Sequence, residues 1–167
     1  MKDIELRLVS ELIKNSRRSD RELAKALGVS QPTVTRTRTR LEKEGLIDYS
    51  AVPNLPKLGF EIMALTFGKR DFQKYPEVNL QKAQDVAKRY PSIIFGAAGS
   101  GLDYDRIVIS IHRNYSDYSK FLQEMRNEWA EIIDIQNSFI ISLTSKEVIQ
   151  PLSLKHFADH LKIEKES

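Results

Sequence analysis

A three-residue turn between two short amphipathic segments constrains the fold of this chain more than any other feature. The turn is Gly28-Val29-Ser30. Before it, Ser19 and Glu22 have the spacing of a capping box, which predicts that a helix begins at residue 20. Gly28 follows the last apolar residue of this helix and is expected to end it in the left-handed conformation.

The segment after the turn predicts a second helix. Ser30 suits its N-cap, Pro32 is tolerated in its first turn, and Gly45 marks its end. Periodic apolar residues predict a further helix over residues 3–15, and weak alternation predicts a short strand over residues 46–52. Two short helices joined by so tight a turn are typical of a helix-turn-helix, here predicted to be of the winged type.

Side chains suited to DNA lie on one side of the second helix of this motif. At about 100° per residue, Val34 and Leu41 fall on one side, and the opposite side carries three cations and no acid. Thr and Arg suit phosphates and base edges. The alternative is an ordinary solvated face, which usually has interspersed Glu. The predicted DNA-binding residues are Ser30, Gln31, Thr33, Thr35, Arg36, Thr39, Arg40 and Lys43.

The excess positive charge of the chain lies in the same segment. Residues 1–50 contain 11 Lys/Arg and 8 Asp/Glu, whereas residues 51–167 contain 15 of each. Such an asymmetry is typical of a chain with a nucleic-acid-binding end. The predicted partner is therefore double-stranded DNA.

Composition disfavours several other classes of protein. The absence of cysteine excludes disulfides and thiolate metal sites and makes a cytoplasmic location the expectation. No apolar run approaches the roughly 20 residues that span a bilayer, so no membrane partner is predicted. His156 and His160 have a chelating spacing without a third ligand, and the sequence has no phosphate loop or Ser-His-Asp order. We therefore predict no metal, no cofactor and no enzyme activity.

The second half of the chain predicts an α+β domain. Residues 53–59, rich in Pro and Gly, are a predicted linker between a helix-turn-helix domain of residues 1–52 and a domain of residues 60–152. The predicted elements are strands over 60–67, from 93 to an end or bend at 96–101, over 105–112 and over 134–144, with helices over 79–90 and 116–129. This βαββαβ order predicts a ferredoxin-like fold. Residues 153–167 are predicted to form a tail or a short helix.

Taken in order, the motifs of this chain resemble those of the Lrp/AsnC, or feast/famine, family. The resemblance covers residues 3–152 and is carried by Ser19-Asp20-Arg21-Glu22-Leu23-Ala24, Leu27-Gly28-Val29-Ser30, Arg40-Leu41-Glu42-Lys43-Glu44-Gly45-Leu46-Ile47 and Leu58-Gly59. It implies a sequence-specific, DNA-binding transcriptional regulator. It also implies that the second domain pairs through its sheet into homodimers, with tetramers or octamers of dimers as open possibilities.

The resemblance further implies a small effector, such as an amino acid, near the turn between the second and third strands. The predicted effector-binding residues are Gly99, Ser100, Gly101, Asp103, Asp105, Asn137 and Ser138. From the residues alone, a plain hairpin turn is the alternative, because Gly, Ser and Asp are its usual residues. Leu102 adds one residue to the Gly-x-x-Asp spacing usual in the family.

A second departure concerns Arg38, which stands where the family usually has an apolar residue. On the helical wheel it lies beside Val34 and Leu41. We expect its side chain to snorkel, to pair with an acid, or to mark a rotated helix.

Two other functions stay open at this point. Some haem-biosynthesis decarboxylases resemble this family and keep its two-domain plan. The other open function is that of a ligand-binding assembly module without DNA specificity. The Arg- and Thr-rich helix favours DNA binding over both.

Overall fold

The computed structural model describes residues 2–70, 80–130 and 133–161, which fall into two compact units. The first unit comprises the described residues within 1–52 and 150–167, and the second those within 53–149. No helix among the described residues is long and apolar enough to cross a membrane.

Three helices and a C-terminal segment form the first unit. The helices are α1 (Asp3–Lys14), α2 (Asp20–Leu27) and α3 (Gln31–Lys43), and the C-terminal segment is a 3₁₀ helix over Leu154–Leu161. The buried side chains at their centre are Leu8, Leu12, Leu23, Ala24, Leu27, Val34 and Leu41. This apolar cluster fixes α3 against α1 and α2.

The predicted capping signals of α2 are confirmed. The Ser19 hydroxyl accepts the Glu22 backbone N–H at 3.3 Å, and the Glu22 carboxylate accepts the Ser19 backbone N–H at 2.7 Å. At the other end, Gly28 has φ +70°, a left-handed backbone conformation that residues other than Gly rarely adopt. The turn therefore places the start of α3 as the sequence predicts.

The predicted strand over residues 46–52 is wrong. In the structure these residues form no strand after α3. A strand needs a hydrogen-bonded neighbour, and the described residues of the first unit contain no second strand to pair with this one. The alternation of side chains was therefore insufficient to predict it.

The C-terminal 3₁₀ segment packs on α1. Ala158 is buried, and its carbonyl accepts a hydrogen bond of 2.7 Å from the buried Ser10 hydroxyl. Lys14 pairs with Asp159 at 3.4 Å. The last described residues therefore belong to the first unit, although they follow the second in sequence.

The second unit has the predicted ferredoxin-like fold, so the α+β class is confirmed. Its elements are β1 (Ile62–Lys69), α4 (Leu80–Lys88), β2 (Ile93–Gly101), β3 (Tyr104–His112), α5 (Tyr115–Glu128) and β4 (Asp134–Ser142). The strand order is β2-β3-β1-β4, and all neighbours are antiparallel. Side chains buried on the helix-covered side of the sheet include Ala64, Val108, Tyr118, Phe121 and Met125.

Several elements of the second unit have other bounds than predicted. β1, predicted over 60–67, is Ile62–Lys69, and β4, predicted over 134–144, ends at Ser142. β2 continues through the glycine-rich stretch to Gly101. Helix α5 begins before Ser116, because Asn114 is its N-cap and accepts the Asp117 backbone N–H at 2.9 Å. The three residues Asn114, Ser116 and Asp117 are all good caps, so residue type alone could not choose between them.

His112 is a buried titratable residue at the end of β3. It is 1% exposed and packs against the rings of Phe121 and Tyr118, at centroid distances of 4.7 and 5.3 Å. Its Nε2 lies 2.8 Å from the Ser110 hydroxyl. Burial lowers the pKa of His112 below its ordinary value, although the nearby Asp117 carboxylate acts in the opposite direction.

The lowered pKa of His112 predicts a loss of stability in mild acid. As the pH falls below about 6.5, the unfolded chain binds a proton that the folded chain does not, so the free energy of unfolding falls by up to about 1.4 kcal/mol per pH unit. Urea unfolding followed by Trp129 fluorescence should show this slope between pH 7 and 5. His112→Gln should flatten it, whereas His156→Gln, at an exposed histidine, should leave it unchanged. An unaltered slope in His112→Gln would contradict the assignment.

Candidate nucleic-acid interface

Helix α3 has one buried face and one exposed face. Val34, Thr37 and Leu41 are buried, as the helical wheel predicts for Val34 and Leu41. The exposed residues are Gln31, Pro32, Thr35, Arg36, Thr39, Arg40, Glu42 and Lys43, and the Glu42 carboxylate is paired with Arg38. The apolar core of the first unit thus presents a fixed helix face to solvent.

Two cations on this face are available to a ligand. Arg36 and Lys43 are two helical turns apart, and Thr39 lies between them on the same side. Arg36 and Lys43 form no ion pair with another described residue. A basic row of this kind is the electrostatic footprint expected for a nucleic-acid contact.

Ser30 and Thr33 form the N-terminal end of α3. The Ser30 hydroxyl accepts the Thr33 backbone N–H at 3.4 Å and lies 2.8 Å from the Thr33 hydroxyl. The first N–H groups of a helix favour phosphate oxygens. Both predicted residues therefore shape the helix terminus, and their hydroxyls are already used in the cap.

Arg40 has a structural partner that sequence reasoning missed. Its guanidinium donates to the Glu5 carboxylate of α1, whose side chain is 8% exposed. The Lys2 backbone N–H, and then Arg40, hold the pKa of Glu5 below its ordinary value. Arg40 therefore links α3 to α1 and is not a free cation.

Arg38 pairs with acids, which was one of the three expected ways to accommodate a cation beside Val34 and Leu41. Its guanidinium contacts Asp20 of α2 at 3.1 Å and Glu42 at 3.1 Å, and it donates to the Tyr49 hydroxyl at 2.9 Å. The side chain is 22% exposed. The spacing of Arg38 and Glu42 predicts their contact, but no pattern in the sequence pointed to Asp20 or Tyr49.

Thr35 is joined to the same group of side chains. Its hydroxyl donates a hydrogen bond of 2.6 Å to the second oxygen of the Asp20 carboxylate. Asp20 therefore connects α2 to two residues of α3 at once.

The predicted effector site lies at the end of the β2–β3 hairpin. Leu102 and Asp103 form a two-residue turn with φ values of 53° and 63°, as in a type I′ turn. The register between β2 and β3 shifts so that Gly99 and Ser100 stand opposite Asp105 alone. This β-bulge accommodates the extra residue of the loop.

The two aspartates of this hairpin have partners in the structure. Asp103 pairs with Lys69 at 2.5 Å. Asp105 accepts the Arg70 backbone N–H at 3.0 Å and lies 3.4 Å from the Arg106 guanidinium. The end of the hairpin therefore carries a cluster of negative and positive groups, with two carboxylates and two side-chain cations.

Asn137 and Ser138 do not line one surface together. They are consecutive residues of β4 and point to opposite faces of the sheet. Asn137 donates to the Tyr104 hydroxyl beside the turn, whereas Ser138 donates to the Thr66 hydroxyl at 3.1 Å on the helix-covered side. Of the two, only Asn137 joins the hairpin residues.

Comparison with known proteins supplies the family. A model of winged helix-turn-helix DNA-binding domains matches residues 1–48. An HTH-type transcriptional regulator of Pyrococcus furiosus is 31% identical over 124 residues, which cover 74% of this chain and 80% of that protein. This chain belongs to the HTH-type transcriptional regulators. Another relative, the regulator Ptr1 of Methanocaldococcus jannaschii, is 30% identical over 72% of this chain and 78% of its own length.

The solved structures show that this HTH-type regulator has the Lrp/AsnC fold. An AsnC family transcriptional regulator of Agrobacterium tumefaciens superposes with a TM-score of 0.71 at 18% identity, covering 93% of this chain and 99% of that one. The leucine response regulatory protein of Mycobacterium tuberculosis gives a TM-score of 0.70 at 21% identity, with 92% and 99% covered. The predicted resemblance is thereby confirmed, and the chain is a DNA-binding transcriptional regulator.

The two arginines on the exposed side of this regulator's α3 should differ when replaced. Arg36→Ala should weaken binding to a selected DNA site by about 1–3 kcal/mol if it reads a base, or lower the salt slope by about one if it contacts phosphate. Its thermal midpoint should not change. Arg40→Ala should lower the midpoint, because it leaves the buried Glu5 carboxylate without its cation.

Electrophoretic mobility shifts and thermal melts of the same preparations separate the two effects. The matched control is the double variant Arg40→Ala/Glu5→Gln, which removes the unpaired charge and should recover part of the midpoint. Wild-type affinity and salt slope in Arg36→Ala would show that another part of α3 faces DNA.

Proposed function

We propose that this regulator binds a two-fold symmetric DNA site as a homodimer, with the exposed face of α3 in the major groove, and that an amino acid bound near the β2–β3 hairpin alters its assembly. The carrying observation is the row of Arg36, Thr39 and Lys43 on a helix whose other face is buried in the apolar core. Helices of helix-turn-helix proteins read base edges from such a face.

The helix-free face of the sheet supports the homodimer. Phe139 is 65% exposed on β4 and Phe95 is 52% exposed on β2. The cross-strand register places further apolar side chains on the same face of the sheet, namely Met63, Leu65, Phe67, Ile107, Ile109, Ile111 and Ile141. Large exposed apolar patches mark interaction sites, and a second copy of the chain would cover this one with a matching surface.

The charge distribution at the hairpin supports an amino-acid effector. Lys69 and Arg106 offer cations for a carboxylate, and Asp103 and Asp105 offer acceptors for an ammonium group. A regulator of Neisseria meningitidis solved as a complex with L-Met has the same fold, with a TM-score of 0.68 and 15% identity over 94% of this chain and 99% of that one. An amino acid bound here must break or share the existing ion pairs.

Selection of DNA from a random pool tests the proposed function. The full chain should enrich a motif with two inverted half-sites, their centres about 34 Å or a multiple of that distance apart. Footprinting should show protection on both half-sites. Enrichment of no motif, or of a single asymmetric half-site, would overturn the proposal.

A charge on the apolar sheet face should separate dimerisation from folding. Phe139→Glu should shift the protein to monomer in light scattering and weaken binding to the two-half-site DNA, because a buried unpaired carboxylate disfavours the interface. Ile140→Glu is the matched control, since residue 140 is also exposed but points to the opposite face. Equal effects of both variants would remove the sheet face from the interface.

The effector should raise thermal stability. At 100 times its dissociation constant, a ligand that binds only the folded state adds about 2.7 kcal/mol. A thermal-shift screen of the twenty amino acids should therefore give at least one hit, and Asp105→Ala should abolish it. Asp85→Ala, at an exposed aspartate of α4, is the control. No hit, or a hit that Asp105→Ala does not change, would eliminate this site.

A further inference from the structure

The hydrogen bond between Thr35 and Asp20 restricts what Thr35 is able to recognise. A threonine hydroxyl has one proton to donate and two lone pairs to accept with. In the structure the proton is directed at the Asp20 carboxylate, at an oxygen–oxygen distance of 2.6 Å. This is the short distance typical of a hydroxyl bound to a charged acceptor. Toward any other group, the Thr35 hydroxyl is left as an acceptor.

The surrounding residues keep Asp20 in place. Its other carboxylate oxygen lies 3.1 Å from Arg38, and that guanidinium is held in turn by Glu42 and Tyr49. The carboxylate is 21% exposed. Arg38 also offsets the negative charge that Asp20 would otherwise present to a phosphate backbone. Asp20 is thus both fixed and electrically compensated beside the exposed face of α3.

The major groove offers two kinds of partner to such a hydroxyl. Adenine presents an N6 amino group and cytosine an N4 amino group, which are donors, whereas the keto oxygens of guanine O6 and thymine O4 are acceptors. A hydroxyl that only accepts can form a hydrogen bond with the amino group of adenine or cytosine. Against a keto oxygen, its lone pairs meet other lone pairs and no hydrogen bond forms. Each base pair carries one amino and one keto base, so this contact distinguishes the two orientations of a pair.

We propose that Thr35, with its proton held by Asp20, is a specificity-determining residue that selects an amino base, adenine or cytosine, at one position of each half-site. Asp20 is a positioning residue that acts through Thr35 and does not itself touch DNA. The proposal rests on the proposed function, because α3 must enter the major groove. It goes beyond that function by naming the chemical class of base that one residue reads.

The test compares selections from one random pool. The wild-type chain and Thr35→Val, which has nearly the same shape but no hydroxyl, should enrich motifs that differ at one position per half-site. There the wild type should prefer adenine or cytosine over the keto base on the same strand by about three- to tenfold, as one hydrogen bond allows. Thr35→Val should show less than about twofold preference at that position.

Asp20→Ala and Glu42→Ala form a matched pair for the role of Asp20. Each removes one carboxylate from Arg38, but only Asp20 contacts Thr35. Asp20→Ala frees the hydroxyl proton to turn toward either kind of base, so the preference at the Thr35 position should fall below about twofold. Glu42→Ala should retain it. Retention in Asp20→Ala, or equal loss in both variants, overturns the role of Asp20.

Modified DNA with the wild-type protein keeps the test independent of whether variants fold. Purine in place of adenine, or pyrimidin-2-one in place of cytosine, removes the amino group at the Thr35 position and should weaken wild-type binding about three- to tenfold. Thr35→Val should bind the DNA that lacks this amino group as tightly as the DNA that has it. Identical wild-type and Thr35→Val motifs, or a keto base at the Thr35-dependent position, overturn the inference alone. Failure of the wild-type chain to enrich any motif overturns the proposed function as well.

Discussion

The presentation of α3 depends on ion pairs that tie it to the two helices before it. Arg40 reaches the buried Glu5 of α1, and Arg38 reaches Asp20 of α2. The apolar side chains Val34 and Leu41 decide which face of α3 is buried. Charged hydrogen bonds are directional, so these pairs hold α3 at that rotation about its axis. The residues left on the outer face then follow from that rotation.

The same arrangement divides the cations of α3 into two groups. The segment from Gln31 to Lys43 contains four, Arg36, Arg38, Arg40 and Lys43, and two of these serve the fold. A partly buried pair is costly to break because the remaining charge loses its partner. The cations paired within the fold and those without an ion pair among the described residues therefore differ in their neighbours and not in their residue type, which is why a helical wheel alone grouped Arg40 with Arg36.

Local signals were enough to predict much of the fold. The Ser19–Glu22 capping box and the left-handed Gly28 depend on neighbours within a few residues, and both are present as expected. Features that depend on distant residues were missed. The Glu5–Arg40 pair joins residues 35 positions apart, and the Asp103–Lys69 pair joins residues 34 apart. The strand expected over residues 46–52 failed for the same reason, since pairing requires a partner that side-chain alternation does not reveal.

The position of the C-terminal 3₁₀ segment on α1 has a consequence for the synthesis of the chain. Domains generally fold as they leave the ribosome, the N-terminal one first. Here the hydroxyl of Ser10, in the first helix, donates to the carbonyl of Ala158, and both residues are buried. The first unit therefore gains this contact only after residue 158 has been made. A chain that ended before residue 158 would carry α3 on a first unit without this contact to α1.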